Sequence, residues 1–256
     1  MAVELAAIEY GDGPPLAILH GLLGSGGNWR GVAQRLAAHH RVLALDLRNH
    51  GASPWAETMG YAEMAEDVRG TLEARGDRRF ALLGHSLGGK VAMAAALLHP
   101  GAVTRLIVVD IAPVPYPSAQ LAYVRAMQAL DLAAITRRSQ ADAGLTPAIP
   151  DPAERAFLLQ NFVLGDGAPR WRLNLAAIER AMPLLAGFPS LAAPAYAGPV
   201  LFVAGGRSSY VRPEDETAAR RLFPQARFAR VDNAGHWPHV EQPARFLDLV
   251  EGFLAE

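Results

Sequence analysis

Residues 84–91 read GHSLGGKV and fit two different chemistries. As G-x-S-x-G the segment is a nucleophile elbow, a strand-to-helix turn that presents the Ser86 hydroxyl for covalent attack on a carbonyl carbon. As G-x-x-x-x-G-K it approaches a phosphate-cradling P-loop ending in Lys90. The second reading gains from the apolar strand LIVVD, which ends in Asp110 much as a Walker-B strand ends in its acid. It fails at Val91, because the position after the lysine must carry a hydroxyl to ligate Mg²⁺ and valine offers only methyl groups. The elbow reading accounts for each residue type. A nucleophile on such a turn is held in strained backbone, and side chains two positions to either side would collide with neighbouring elements, so Gly84 and Gly88 are required.

Two further stretches complete an acyl-transfer constellation. LHGLLGSGGNW leaves the strand PLAIL through a His-Gly turn, positioned like a loop that contributes one backbone N–H to an oxyanion hole. The second N–H would come from the residue after the nucleophile, which makes Leu22 and Leu87 the expected donors. NAGHWPH places His236 in a loop after the last strand, downstream of every candidate acid, giving the chain order Ser, acid, His.

These residues need a scaffold that brings distant loops to one edge, and the pattern of the chain supplies it. From residue 15 onward short apolar runs alternate with helical patterns: PLAILH, NWRGVAQRLAAHH, RVLALD, YAEMAEDVRGTLEARG, RFALLG, GKVAMAAALLH and VTRLIVVDIA. Several runs are apolar throughout, as parallel strands covered on both faces must be. The rhythm breaks at VPYPS (114–118) and resumes at PVLFVAGG (199–206). The intervening stretch contains helical segments (QLAYVRAMQALDLAAI, PAERAFLLQNFV and LNLAAIERAMPLL) separated by Pro- and Gly-bearing turns. The expected fold class is therefore α/β, a mostly parallel, doubly wound sheet with a helical cap inserted between two strands. The expected division is a core over residues 1–116 and 198–256 and a cap over 117–197. A cap over the C-terminal edge of a parallel sheet lies where ligands bind in such folds.

Composition narrows the partners. The chain has 256 residues, enough for one well-packed α/β domain, and 51% of them are hydrophobic. A net charge of −1 provides no basic field for nucleic acid, so the expected partner is a small, weakly charged molecule. There is no cysteine, which removes disulfides, thiolate catalysis and cysteine metal sites. No apolar run approaches bilayer length and the N-terminus lacks a charged-then-apolar leader, so a cytoplasmic location with no membrane partner is expected.

The segments DLRNHGASP (46–54), GHSLGGKVAM (84–93), VVDIAPVPY (108–116) and GGRSSYV (205–211) occur in that order. In them the chain resembles the α/β-hydrolase superfamily, and more narrowly small bacterial esterases related to the abhydrolase domain-containing protein 11 family. The resemblance covers essentially the whole chain and implies the α/β-hydrolase fold and a cofactor-free serine hydrolase acting on ester or thioester bonds. In many α/β-hydrolases the acid follows the strand after the cap, yet Ser208 and Ser209 stand there in AGGRSSYVRPED. Asp110, at the end of the strand after the nucleophile strand, is the assigned acid, as in the related esterases, with Glu214 or Asp215 as the alternatives. The expected activity is a carboxylesterase for small to medium acyl esters, working through Ser86, His236 and Asp110. A thioesterase or C–C bond hydrolase on the same trio is the rival within enzymes, and a non-catalytic small-molecule-binding relative the rival outside them.

Other residues carry weaker claims. Eight histidines invite a metal, but no H-x-H or H-E-x-x-H occurs, so neither metal nor cofactor is expected. His20 is read as ordering the oxyanion turn, His50 as supporting the site from behind, and His239 as packing at the start of a helix. His85, Trp29, Tyr210 and Trp237 are candidates for the substrate pocket, with plain packing as the competing role. Lys90, the only lysine, is expected to point toward a carboxylate or solvent.

Overall fold

The computed structural model describes residues 2–165, 167–191 and 194–256. Five of its strands come first in the chain: β1 (Ala7–Tyr10), β2 (Pro15–Leu19), β3 (Arg41–Leu45), β4 (Phe80–His85) and β5 (Val103–Val109). A two-stranded hairpin, β6 (Phe162–Val163) and β7 (Arg170–Trp171), precedes the last two, β8 (Val200–Gly205) and β9 (Ala226–Val231). Seven strands form one sheet in the order β1-β3-β2-β4-β5-β8-β9, parallel throughout except for β1, which pairs antiparallel with β3. β1 lies ahead of the stretch where the α/β rhythm is legible in the sequence; its four residues AIEY are too few for a periodicity to show.

The central strands β4 and β8 are buried along their whole length, as apolar runs without alternation require. Helices α1 (Arg30–Leu36), α2 (Tyr61–Ala74) and α3 (Leu87–Leu98) follow β2, β3 and β4. Beyond β5 come α4 (Gln120–Gln128), α5 (Arg138–Leu145), α6 (Pro152–Leu159) and α7 (Leu175–Ala186), then α8 (Pro213–Leu222), α9 (Pro238–Glu241) and α10 (Pro243–Leu254). Val32 and Leu36 of α1 pack with Phe246, Val250 and Phe253 of α10 on one face of the sheet. The apolar stripes of α2 and α3 form the larger core on the other face, continuous with Val124, Met127, Leu145 and Ile178 of the helices between β5 and β8. Those helices therefore share a hydrophobic core with the sheet instead of forming a separate one.

Within that segment the structure differs from the sequence pattern in three places, the first being that QLAYVRAMQALDLAAI is an α-helix only to Gln128, followed by a 3-10 turn over Leu132–Ala134. RSQADAGL forms α5, a helix whose polar composition hides it, tied to α6 by the Arg155–Asp142 ion pair at 2.8 Å. NFV does not extend α6 but turns into β6, where Phe162 packs against Trp171 at 5.1 Å between ring centroids. Among the described residues no helix is long and apolar enough to cross a membrane.

Candidate active site

At the β4–α3 turn Ser86 has φ 51° and ψ −117°, the strained conformation the glycine spacing anticipates. A Cβ on Gly84 would strike the carbonyl of Gly88, and one on Gly88 the carbonyls of Leu19 and His20, so both positions must be glycine. The turn is pinned to the sheet by a 3.0 Å bond from the Ser86 N–H to the carbonyl of Val109. A Cβ on Gly21 would come 3.4 Å from Ser86 Cβ, which shows how closely the turn after β2 approaches the nucleophile turn.

Asp110 follows β5 directly, fully buried, also with positive φ (49°). Its Oδ2 lies 2.8 Å from His236 Nδ1 and also accepts a hydrogen bond from the Ser208 hydroxyl. Its Oδ1 accepts from the Gly205 N–H at 2.8 Å. The segment after β8, where a carboxylate is missing from the sequence, thus supplies donors to the carboxylate of the neighbouring strand. Glu214 and Asp215 are engaged elsewhere: Asp215 accepts from the Arg212 backbone N–H at the start of α8, and exposed Glu214 pairs with Arg212.

His236 sits in the loop after β9 and is held from several sides. Tyr210 stacks on its imidazole at 4.1 Å between centroids and 23°. His85 Nε2 donates to the His236 carbonyl at 2.8 Å, so the residue beside Ser86 clamps the backbone of the imidazole's own loop. Glu241 of α9 accepts from the Gly235 and Trp237 N–H groups at 2.9 and 3.2 Å. His85 is buried, and burial first, then the proximity of His236 and His239, pushes its pKa well below the ordinary value. A neutral imidazole with Nε2 protonated is what the donated bond requires. The clamp of His85 and the Glu241 brace lie in three-dimensional contacts that no local pattern in the sequence announces.

Behind the turn after β2, two more buried histidines act as neutral hydrogen-bonding groups. His20 Nδ1 donates to the Gly21 carbonyl at 2.8 Å while its Nε2 accepts from the Leu47 N–H at 2.9 Å. His50 Nδ1 donates to the Arg48 carbonyl at 2.9 Å and its Nε2 accepts from the Leu23 N–H at 3.2 Å. Burial lowers their pKa values to about 4 and about 3, with His20 itself adding to the fall at His50. The motif DLRNHGAS is anchored in turn by Asp46, which accepts from the Gly26 and Ala52 N–H groups, and by buried Arg48, paired with buried Asp67.

Ser86 lies between two cavities. The larger, about 280 Å³, is lined by Ser86, His236, Leu22, Phe157, Trp237 and Glu154 among others. The smaller, about 60 Å³, is bordered by Ser86, Leu22, Leu87, Lys90, Tyr61 and Tyr116. Ser86, His236, His85, Tyr210, Trp237 and Trp29 all border the larger space. Trp29 is nonetheless almost fully buried, its indole stacked on His239 at 4.0 Å, so it forms a wall instead of a mobile contact. Lys90 faces neither solvent nor a carboxylate: its ammonium donates to the carbonyls of Gly187 and Ala186 at 2.6 and 3.3 Å. Among the described residues no group of His, Cys, Asp and Glu is arranged to hold a metal ion.

Comparison with known proteins bears on what such an arrangement belongs to. A family profile described as alpha/beta hydrolase fold matches residues 14–243. The chain is 41% identical over 250 residues to the mouse sn-1-specific diacylglycerol lipase ABHD11, covering 94% of this chain and 81% of that protein. It is 34% identical to esterase YbfF of Escherichia coli K12, covering 94% of this chain and 92% of that one. A solved marine microorganism esterase superposes with a TM-score of 0.95 at 33% identity, covering 98% of this chain and all of the other. With a strand-to-helix turn carrying a serine, a buried carboxylate on the next strand and a histidine after the last, this chain belongs to the alpha/beta hydrolase fold family.

Proposed function

We propose that the protein is a carboxylesterase that cleaves small to medium acyl esters through Ser86, His236 and Asp110. The observation that carries this reading is the 2.8 Å bond from His236 Nδ1 to buried Asp110, on an imidazole that borders the same cavity as Ser86. The bond fixes the tautomer that leaves Nε2 free to accept a proton. His236 takes the Ser86 proton as Oγ attacks the acyl carbon, and the Leu22 and Leu87 N–H groups stabilise the developing oxyanion. His236 then returns the proton to the leaving alcohol, and water activated by the same imidazole releases the acid. Ser208 and the Gly205 N–H keep the Asp110 carboxylate oriented while the imidazolium forms.

In this proposal residues 117–197 act as a cap. Phe157, Leu158, Tyr123 and Glu154 from this segment border the larger cavity, opposite the turns that follow β2, β4 and β9. The two spaces of about 280 and 60 Å³ limit how large an ester can be engaged. Hydrolysis rates across a p-nitrophenyl ester series of increasing acyl length, with an acyl thioester alongside, test the reading. Fastest turnover at short to medium esters supports it. A marked preference for the thioester, or no turnover of any ester by folded protein, would refute it.

A further inference from the structure

Lys90 is the only lysine among the 24 lysine and arginine residues of the chain, and it is buried one helical turn after Ser86. Its backbone N–H donates to the Ser86 carbonyl at 3.1 Å, and Lys90 borders the smaller cavity that Ser86 also borders. Among the described residues the partners of that ammonium are all neutral. They are the carbonyls of Gly187 and Ala186, with the faces of Tyr116 at 4.7 Å and Tyr61 at 5.9 Å. Among the described residues no Asp or Glu borders the cavity. A buried charge without a counter-ion is costly, and burial lowers the Lys90 pKa to about 8, which still leaves the ammonium form predominant at neutral pH. An ammonium has three donors and the two carbonyls occupy two of them.

A clamp on the end of α7 accounts for those two bonds, but a neutral donor would serve there without the cost of the charge. What the charge adds is attraction for an anion in the space beside the nucleophile. An ammonium is a compact point charge that fits a cavity of about 60 Å³ where a guanidinium fork would fill it. We infer that the smaller cavity is a subsite for a carboxylate, with Lys90 as its counter-ion, and that the substrates are short dicarboxylic acid half-esters. This rests on the reading of Ser86 as the nucleophile. Ser86 and Lys90 are separated by about 6 Å of helical rise, a span suited to a short acyl chain with the ester carbonyl at one end and a carboxylate at the other. The alcohol then occupies the larger cavity. Water is the only co-reactant: the acyl C–O bond breaks, the acyl carbon gains the water oxygen, and the products are a dicarboxylic acid and the alcohol.

The test compares kcat/KM for monoethyl succinate and ethyl pentanoate by pH-stat titration in wild type, Lys90→Met and Ser86→Ala. Wild type is expected to favour the half-ester by tenfold or more, and Lys90→Met to lower that ratio about 10- to 100-fold, the worth of one charged hydrogen bond. A wild-type preference for the neutral ester, or a ratio that Lys90→Met leaves unmoved, overturns the subsite. Hydrolysis of both esters that survives Ser86→Ala overturns the nucleophile reading instead, and the two failures are thereby told apart. Should Lys90→Met not fold, inhibition of wild-type ethyl pentanoate hydrolysis decides. Succinate is expected to compete at least tenfold more tightly than succinamide, and equal inhibition by the two overturns the proposal.

Discussion

Five non-glycine residues among those described have positive φ: Leu23, Asn49, Ser86, Asp110 and Asn233. Each lies just beyond the C-terminal end of a strand of the large sheet, after β2, β3, β4, β5 and β9 respectively. Among the described residues from α4 through α7, a stretch that supplies the opposite wall of the larger cavity, no non-glycine residue adopts such a backbone. Left-handed backbone at a side-chain-bearing residue costs on the order of 1–3 kcal/mol, and the hydrogen-bonded parallel sheet behind these turns can hold it. The helical wall shares the larger hydrophobic core with the sheet and is tied to it further by side chains reaching carbonyls, Asn161 to Leu23, Tyr61 to Leu185 and Lys90 to Gly187, and by the bond from the Asn174 N–H to the Asn49 carbonyl. All eight histidines also lie outside the stretch between Asp110 and β8. In the proposed reading the reaction chemistry thus sits at the strand ends, while the helices between β5 and β8 contribute pocket wall through Tyr123, Glu154 and Phe157.

The sharpest way to break this contrast is at the strand ends. Ser86→Ala is expected to reduce ester turnover by roughly 10⁶-fold with the fold retained; activity within tenfold of wild type, with unchanged circular dichroism, would sever the chemistry from the β4 turn. Asp110→Asn should lower kcat by about 10³- to 10⁴-fold, because an amide at that position favours the wrong imidazole tautomer. A comparable loss on Glu214→Gln, with Asp110→Asn mild, would move the acid away from β5.

Acid should next strike the sheet side. His20, His50 and His239 have folded pKa values lowered to about 4, 3 and 3, whereas the unfolded chain titrates near the ordinary 6.5. The unfolded state then binds more protons, so stability is fully present above pH 6.5 and is lost as pH falls through the window down to about 4 for His20 and about 3 for His50 and His239. Each buried histidine contributes up to about 1.4 kcal/mol per pH unit within it. Thermal melts from pH 7 to 4.5 should show a steep fall, and a flat profile would mean these imidazoles are not held neutral.

Smaller effects sharpen the same contrast from the helical side. Asn161→Ala leaves the Leu23 carbonyl without that donor and should cost about 1–3 kcal/mol of stability, with a rise in KM larger than any fall in kcat. A kcat loss matching that of Asp110→Asn would show that the wall, too, carries chemistry. Glu214→Gln, which removes a charge paired with Arg212 on the surface, should change turnover less than about twofold.

Much of this arrangement is legible in the chain because its strongest constraints are local. Gly84 and Gly88 are visible as spacing since each is forced by a backbone collision within a few residues or with the adjacent strand. The apolar runs of β4 and β8 announce buried parallel strands directly. What escapes is long-range or weakly patterned. The bond of Ser208 to Asp110 spans 98 residues and that of His85 to the His236 carbonyl 151. A serine or a histidine in those segments carries no mark of its partner. Lys90 illustrates the limit in another way, because a lone lysine in a helix reads as surface or ion pair until the α7 carbonyls and the tyrosine faces around it are in view. The hairpin of β6 and β7 is two residues per strand, too short for alternation to register.

The central claim is that a single hydroxyl, Ser86, is made nucleophilic by its place at the β4–α3 turn beside His236. Reaction with a fluorophosphonate probe, followed by peptide mass spectrometry, addresses it without assuming a substrate. Rapid labelling approaching one probe per chain, confined to the peptide containing Ser86 and lost in Ser86→Ala, is the predicted result. Folded protein that takes up no probe, or that is labelled at another residue while Ser86 stays free, would contradict it.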